Sequence, residues 1–164
     1  MNVKEVRITF HEYENEKELS QDEQVLLGKA LQATDNSYAP YSEFHVGAAV
    51  LLEDGTVVIG SNQENAAYPS GLCAERVALF YAQSQYPGVK IKALAVSAKA
   101  DHFHIEAPIT PCGSCRQVIV EVEQRQKEKI RIIMQGETGP VHVVQGIEAL
   151  LPFSFHEEKL KKKL

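Results

Sequence analysis

Cys112-Gly113-Ser114-Cys115 holds two thiols three residues apart, and the chain's remaining cysteine stands far upstream at Cys73. On entering a helix this spacing turns both sulfurs to one side, where helix-end N–H groups favour thiolates. Such a pair suits a redox disulfide or part of a metal site, and it also arises by coincidence. With Cys73 added, three soft ligands are available to a zinc ion at roughly 2.3 Å each. A closed structural site takes four protein ligands as a rule and would need His45, His102 or His104. Three ligands with an open position is the catalytic pattern. Glu75, two positions after Cys73, favours the open site, because a carboxylate there can take a proton from water and hand it to a substrate nitrogen. A redox dithiol would leave Cys73 and Glu75 unexplained. Three thiolates overbalance a dication and weaken it as a Lewis acid. Arg76 and Arg116 stand beside the cysteines in sequence and are expected to donate hydrogen bonds to sulfur.

These residues need elements to carry them. Ser20 with Glu23 reads as a helix cap and its capping-box partner, and the helix behind it directs Val25, Leu26, Ala30, Leu31 and Ala33 to a core. Phe44–Leu52 reads as a strand, with Gly47 and two alanines where a bulkier side chain would obstruct a neighbour, and Glu53-Asp54-Gly55 turns it into Thr56–Gly60. Cys73–Tyr86 is helical, with Val77, Leu79, Phe80 and Ala82 apolar. Ile91–Ser97 is a strand, Gly113–Gln126 a second amphipathic helix, Ile130–Met134 and Val141–Val144 further strands, and Gly146–Leu150 a short helix. Met1–Phe10 alternates loosely through Val3, Val6, Ile8 and Phe10, which predicts an edge strand. Strands alternating with helices imply an α/β domain with helices on both faces of one sheet. Crossovers in such a sheet can bring the starts of the two central helices together, and those starts are Cys73 and Cys112.

Composition narrows the function classes. A length of 164 residues suits one domain. With 17 Lys+Arg against 22 Asp+Glu the chain lacks the basic excess of a nucleic-acid surface. The cluster Lys127, Lys129 and Arg131 is interrupted, and the lysines of 159–164 read as a solvated helix end. The longest apolar runs, such as Val46–Leu52, are too short to span a bilayer. No stretch at the start pairs a basic segment with an apolar core, and an odd cysteine count suits a reducing compartment, so a cytoplasmic protein without nucleic-acid or membrane partners is expected.

Cysteine ligands with a nearby non-ligating Glu are a signature of zinc deaminases. Cys73-Ala74-Glu75-Arg76 and Pro111-Cys112-Gly113-Ser114-Cys115-Arg116-Gln117 resemble the two zinc motifs of free-nucleoside cytidine deaminases. Tyr38–Ala49 resembles the family's substrate-side segment, Asn62–Tyr68 its ribose-binding segment and Leu150–Phe155 its C-terminal aromatic segment. The likeness runs in family order from about Leu19 to Phe155, leaving residues 1–18 as an N-terminal extension and 156–164 as a tail. The all-cysteine set resembles the small homotetrameric class.

That resemblance implies a three-layer fold with a mixed central sheet of about five strands, and one Zn²⁺ per subunit on Cys73, Cys112 and Cys115. It makes Glu75 the proton shuttle and Arg76 the group that offsets the thiolates. Asn62 and Glu64 match residues that hydrogen-bond the ribose 3′-hydroxyl, Phe44 an aromatic of the nucleoside pocket, and Phe155 a phenylalanine that reaches a neighbouring subunit's site. Backbone around Ala74 and Thr110–Pro111 is a candidate contact for the base edge, which sequence alone does not place. The implied reaction is hydrolytic deamination of cytidine and 2′-deoxycytidine to uridine and 2′-deoxyuridine with release of ammonia, in pyrimidine salvage. Alternatives are a deaminase of another cytosine nucleoside such as blasticidin S, and a non-catalytic zinc module. His45 departs from the family pattern by adding a titratable group near the pocket, and Phe153 replaces a smaller residue.

Overall fold

A computed structural model describes residues 1–156 and 160; most of the lysine-rich tail therefore lies outside the described residues. Six strands form one mixed sheet: β1 His11–Tyr13, β2 Phe44–Leu52, β3 Val57–Ser61, β4 Ile91–Ala100, β5 Arg131–Met134 and β6 Val141–Gln145, in the order β1-β6-β5-β4-β2-β3. The β4–β5 pair is parallel and the others are antiparallel. Three helices cover it, α1 Gln21–Ala33, α2 Ala74–Gln85 and α3 Gly113–Gln126.

Alternation along the strands divides the core into two layers. Ala48, Val50 and Leu52 of β2 pack with Leu94, Val96, Ile132 and Met134 beneath Ala78 and Leu79 of α2 and Ile119 and Val122 of α3. On the opposite face Ala49, Ala93, Ala95, Ile133 and Val143 meet Leu26, Leu27 and Ala30 of α1. The three-layer arrangement is the one expected, and α2 and α3 share a face.

Two glycines set how closely the helices approach. A Cβ on Gly47 would fall 1.9 Å from the Ala30 carbonyl oxygen, so a side chain there would push α1 off the sheet. One on Gly60 would fall 2.6 Å from both the Ala74 oxygen and the Ala78 nitrogen, which fixes the first turn of α2 directly on β3. The capping box forms at α1: the Ser20 N–H donates to Glu23 Oε2 at 3.0 Å and its hydroxyl to the same oxygen at 2.7 Å. Glu23 also pairs with Arg131 of β5, tying the helix start to the sheet.

The differences from expectation are local. Val25 and Phe80 are exposed, and Leu27 takes the core place given to Val25, because the buried stripes of α1 and α2 are rotated from those anticipated. The edge strand falls at His11–Tyr13 and residues 1–10 carry no regular element. Tyr13 lies opposite Val141 and packs on the α1 layer, whereas Val3, Val6, Ile8 and Phe10 have no layer of this chain to bury against and stay exposed.

Candidate active site

α2 and α3 begin at the same place. Cys73 is the residue capping the N-terminus of α2, Cys112 caps α3, and Cys115 lies in the first turn of α3. The Cys73 and Cys112 sulfurs are 3.7 Å apart, Cys112 and Cys115 3.5 Å, and all three lie within 4.8 Å of one another. Ligands about 2.3 Å from a tetrahedral zinc are about 3.8 Å from each other, so the donor set and its spacing fit the ion. The three cysteines form a metal-binding cluster for one zinc. None of the histidines considered as a fourth ligand belongs to it. His45 is held by Ser37 at 2.5 Å and Asp101 at 3.1 Å, His102 pairs with Glu43, and His104 with Glu137 at 2.8 Å and Thr138 at 2.7 Å.

The electrostatics follow from this crowding. Cys73 is pulled down to about 5 by the Cys115 thiol donating to it, with Arg76 and Cys112 adding to the effect. Cys115 is pushed up, because the proton it donates to the Cys73 sulfur is held by that hydrogen bond, and burial adds to the shift. Arg76 donates from Nη2 to the Cys73 sulfur at 3.6 Å. Glu75 is buried, 4% exposed, and still borders the cavity. Burial raises its carboxyl above the usual range, and the negative charge on Cys73 adds to the shift.

Arg116 differs from expectation. Its Nε donates to the Pro111 carbonyl at 2.7 Å, Nη1 to the Leu150 carbonyl at 2.8 Å and Nη2 to Thr110 Oγ1 at 3.1 Å. Oxygen acceptors from the turn before α3 and from the C-terminal segment take its donors in place of sulfur. It therefore braces the Cys112 loop.

A cavity of about 700 Å³ opens beside the cluster, lined among others by Phe44, Asn62, Glu64, Tyr68, Leu72, Glu75, Arg76, Ile109 and Thr110. Asn62 and Glu64 face it with much of their bonding already committed. The Asn62 amide donates to the Phe44 carbonyl at 2.9 Å and accepts from the Val46 N–H at 2.8 Å, lacing β2 to the strand end. Glu64 Oε2 accepts from the Tyr41 N–H at 2.9 Å and the Ser42 N–H at 3.3 Å, and the Ser42 hydroxyl donates to Oε1. That hydroxyl bond keeps the Glu64 carboxyl below its ordinary range. Ala74 is fully buried under β3. Phe155 is 54% exposed and does not line this chain's own cavity; Gln117 clamps its backbone, donating to its carbonyl at 2.9 Å.

Sequence reasoning missed Ser42, whose role depends on Glu64 being folded back against it. It also missed the aromatic pair at the rim, Tyr41 and Tyr68, with ring centroids 6.1 Å apart. The motif Tyr41-Ser42 was visible, but its partner lies more than twenty positions away.

Residues 20–129 match the family profile described as the cytidine and deoxycytidylate deaminase zinc-binding region. The chain belongs to this deaminase family. A cytidine deaminase of Halalkalibacterium halodurans is 39% identical over 139 residues, covering 85% of this chain and 98% of that protein. One of Sporosarcina psychrophila is 41% identical over 140 residues, 85% of this chain and 95% of its own length. The crystal structure of the Burkholderia pseudomallei cytidine deaminase superposes with a TM-score of 0.69 at 40% identity, over 80% of this chain and 97% of that one. Membership of the deaminase family accounts for the three sulfurs and for a cavity that reaches them. No helix among the described residues is long and apolar enough to cross a membrane.

Proposed function

We propose that this chain hydrolyses the 4-amino group of free cytidine and 2′-deoxycytidine, releasing ammonia and the corresponding uridine. The observation that carries the reading is a buried carboxyl, Glu75, bordering the cavity beside a three-sulfur zinc cluster with no fourth protein ligand among the described residues. A non-catalytic zinc module has no use for a carboxylic acid kept at the edge of a cavity at the cost of its desolvation.

When bound by Cys73, Cys112 and Cys115, zinc supplies a water that ionises near neutral pH. Glu75 receives a proton from the attacking water and delivers it to N3 of the ring, which makes C4 electrophilic. Hydroxide adds to C4. Glu75 then carries the remaining proton of that water from the new C4 hydroxyl to the amino group, which leaves as ammonia while C4 becomes a carbonyl. A carboxyl whose proton affinity is raised by burial suits both halves of that cycle. Arg76 holds the Cys73 thiolate and offsets its charge. Phe44 forms an apolar wall for the nucleoside, and Asn62 and Glu64 present their remaining acceptor and donor capacity to a sugar hydroxyl. The Ala74 and Thr110–Pro111 backbone lies beside the base edge, with Arg116 as its brace.

The charge of the cavity favours a nucleoside over a nucleotide. Among the described residues Arg76 is the single cation lining the cavity, and it is engaged with sulfur, while Glu64 would repel a phosphate. We assign Phe155 to a neighbouring subunit's site, with four copies completing one another's cavities. Its exposed ring and its absence from its own chain's cavity support that placement. Free thiols in a metal cluster suit a reducing, cytoplasmic location and a role in pyrimidine salvage.

Ultraviolet-monitored turnover of cytidine by the zinc-loaded protein, with uridine identified as product, tests the reading. Turnover of a modified cytosine nucleoside in its place would shift the substrate, and no deamination of any cytosine compound by fully zinc-loaded protein would overturn the activity.

A further inference from the structure

The N-terminal arm is the part of the chain that the deaminase site does not use, and it lies outside the stretch matched by the family profile. It leads into β1, the outermost strand of the sheet, which among the described residues is paired on one side only, with β6. Natural edge strands are blunted by charge, Pro or bulges. This arm carries exposed apolar side chains at alternate positions, Val6, Ile8 and Phe10, set between the charged Lys4, Glu5 and Arg7. Phe10 stacks on His142 with ring centroids 4.9 Å apart, and His142 also bonds Glu12 at 2.6 Å. Phe10 and Glu12 thus meet the same β6 residue, as positions two apart on one face of a strand do, and Val6 and Ile8 would share that face if residues 4–10 continued β1.

The arm is also complementary to itself. If two copies run antiparallel with Ile8 opposite Ile8, Val6 meets Phe10 and Lys4 meets Glu12 on one face, while Glu5 meets His11 and Val3 meets Tyr13 on the other. Each apolar residue faces an apolar one, and the acidic groups face a cation or a histidine. Shifting either strand by one residue would set the apolar row against polar side chains, so the pattern specifies its register. Glu12 keeps 61% of its side chain exposed beside His142 and is free to accept a second cation.

We propose that the arm pairs with the same arm of a second copy of this chain about a two-fold axis through Ile8, joining two six-stranded sheets edge to edge. Facing side chains across such a pair are the unit that stabilises it, and the contact is self-complementary, as two-fold symmetry requires.

Oxidative cross-linking of the full-length, zinc-loaded protein tests it without reference to activity, so failure here leaves the deaminase reading untouched. Residues directly opposite in an antiparallel pair have Cα atoms within disulfide reach, whereas Arg7 lies diagonal to its own copy at about 7–8 Å. Ile8→Cys is therefore expected to form a covalent dimer about tenfold faster than Arg7→Cys. Adding Lys4→Glu to Ile8→Cys should slow the link several-fold, and adding Glu12→Lys as well should restore it. Equal rates for the two cysteine variants, or a link indifferent to the charge exchange, would overturn the pairing.

Discussion

The Arg76 guanidinium lies 3.6 Å from the Cys73 sulfur, the thiol that the cluster holds most readily as a thiolate. The contact joins the first turn of α2 to its own capping residue and sets positive charge against a site that three thiolates would otherwise leave net negative. Replacing Arg76 with Gln is expected to lower kcat by about 10–100-fold. Zinc content, read by atomic absorption, should remain near one per chain in excess metal. An unchanged kcat would mean that the two helix N-termini suffice to offset the sulfurs.

Glu75 gives a sharper division. Glu75→Gln keeps the volume and the burial but cannot carry a proton, so the variant should bind zinc with wild-type stoichiometry and turn over cytidine about 10²–10⁴-fold more slowly. Loss of metal together with activity would make Glu75 a structural neighbour of the cluster and remove it from the proton path.

Asn62 and Glu64 have split roles in this structure, and their variants should separate them. Asn62→Ala strips two hydrogen bonds from the backbone of β2 at Phe44 and Val46, and costs about 1–2 kcal/mol in urea unfolding as well as raising KM. Glu64→Gln keeps a carbonyl oxygen for the Ser42 and Tyr41 N–H groups but loses the charge that Ser42 stabilises. It is expected to raise KM for cytidine with a smaller change in stability. Equal losses of stability in the two variants would deny the split.

Much of the three-cysteine metal cluster was legible in the sequence because its determinants are local. Cys-x-x-Cys and Cys-x-Glu need only a helix start to orient them, and both helices begin where the residues imply. Arg116 shows the limit of that reasoning. Adjacency to Cys115 suggested a sulfur partner, but a guanidinium has several donors and goes to the oxygens that the tertiary fold brings within reach, among them the Leu150 carbonyl. Asn62 shows the same limit from the other side, since its use as a brace on β2 depends on strand register. The edge strand was placed too early because alternation shows which residues share a face but not whether the chain supplies a layer to cover them. Gly60 was part of a strand in the sequence, and only the packing of α2 reveals why no side chain can stand there.

Gly60 makes the distance between β3 and the metal cluster testable. Gly60→Ala would place a methyl 2.6 Å from backbone atoms of Ala74 and Ala78, neither of which can yield without moving the helix start that carries Cys73 and Glu75. Stability should fall by about 1–3 kcal/mol. Activity should fall further, by about 10²-fold, because a displacement of the order of an ångström at the reacting groups costs more in rate than in folding. A variant with wild-type kcat would show that α2 slides without disturbing the cluster.

Glu23 supplies the pH dependence. Burial pushes its carboxyl up, but the Ser20 hydroxyl and N–H and the Arg131 guanidinium outweigh it, leaving the group below its ordinary value of 4.5. A carboxylate depressed on folding contributes stability that is fully present above its unfolded value and is lost as the pH falls through the lower folded value. The contact joins the cap of α1 to β5, so Glu23→Ala removes a capping-box partner and an ion pair together, for about 1 kcal/mol at pH 7. The difference between wild type and variant should persist down to about pH 5 and then close below the ordinary carboxyl value. Acid also protonates the zinc-binding thiols, but that loss is common to both proteins and cancels in the difference. Paired urea denaturation series across this range measure it directly, and a difference that stays constant into strong acid would assign the effect of Glu23 to packing alone.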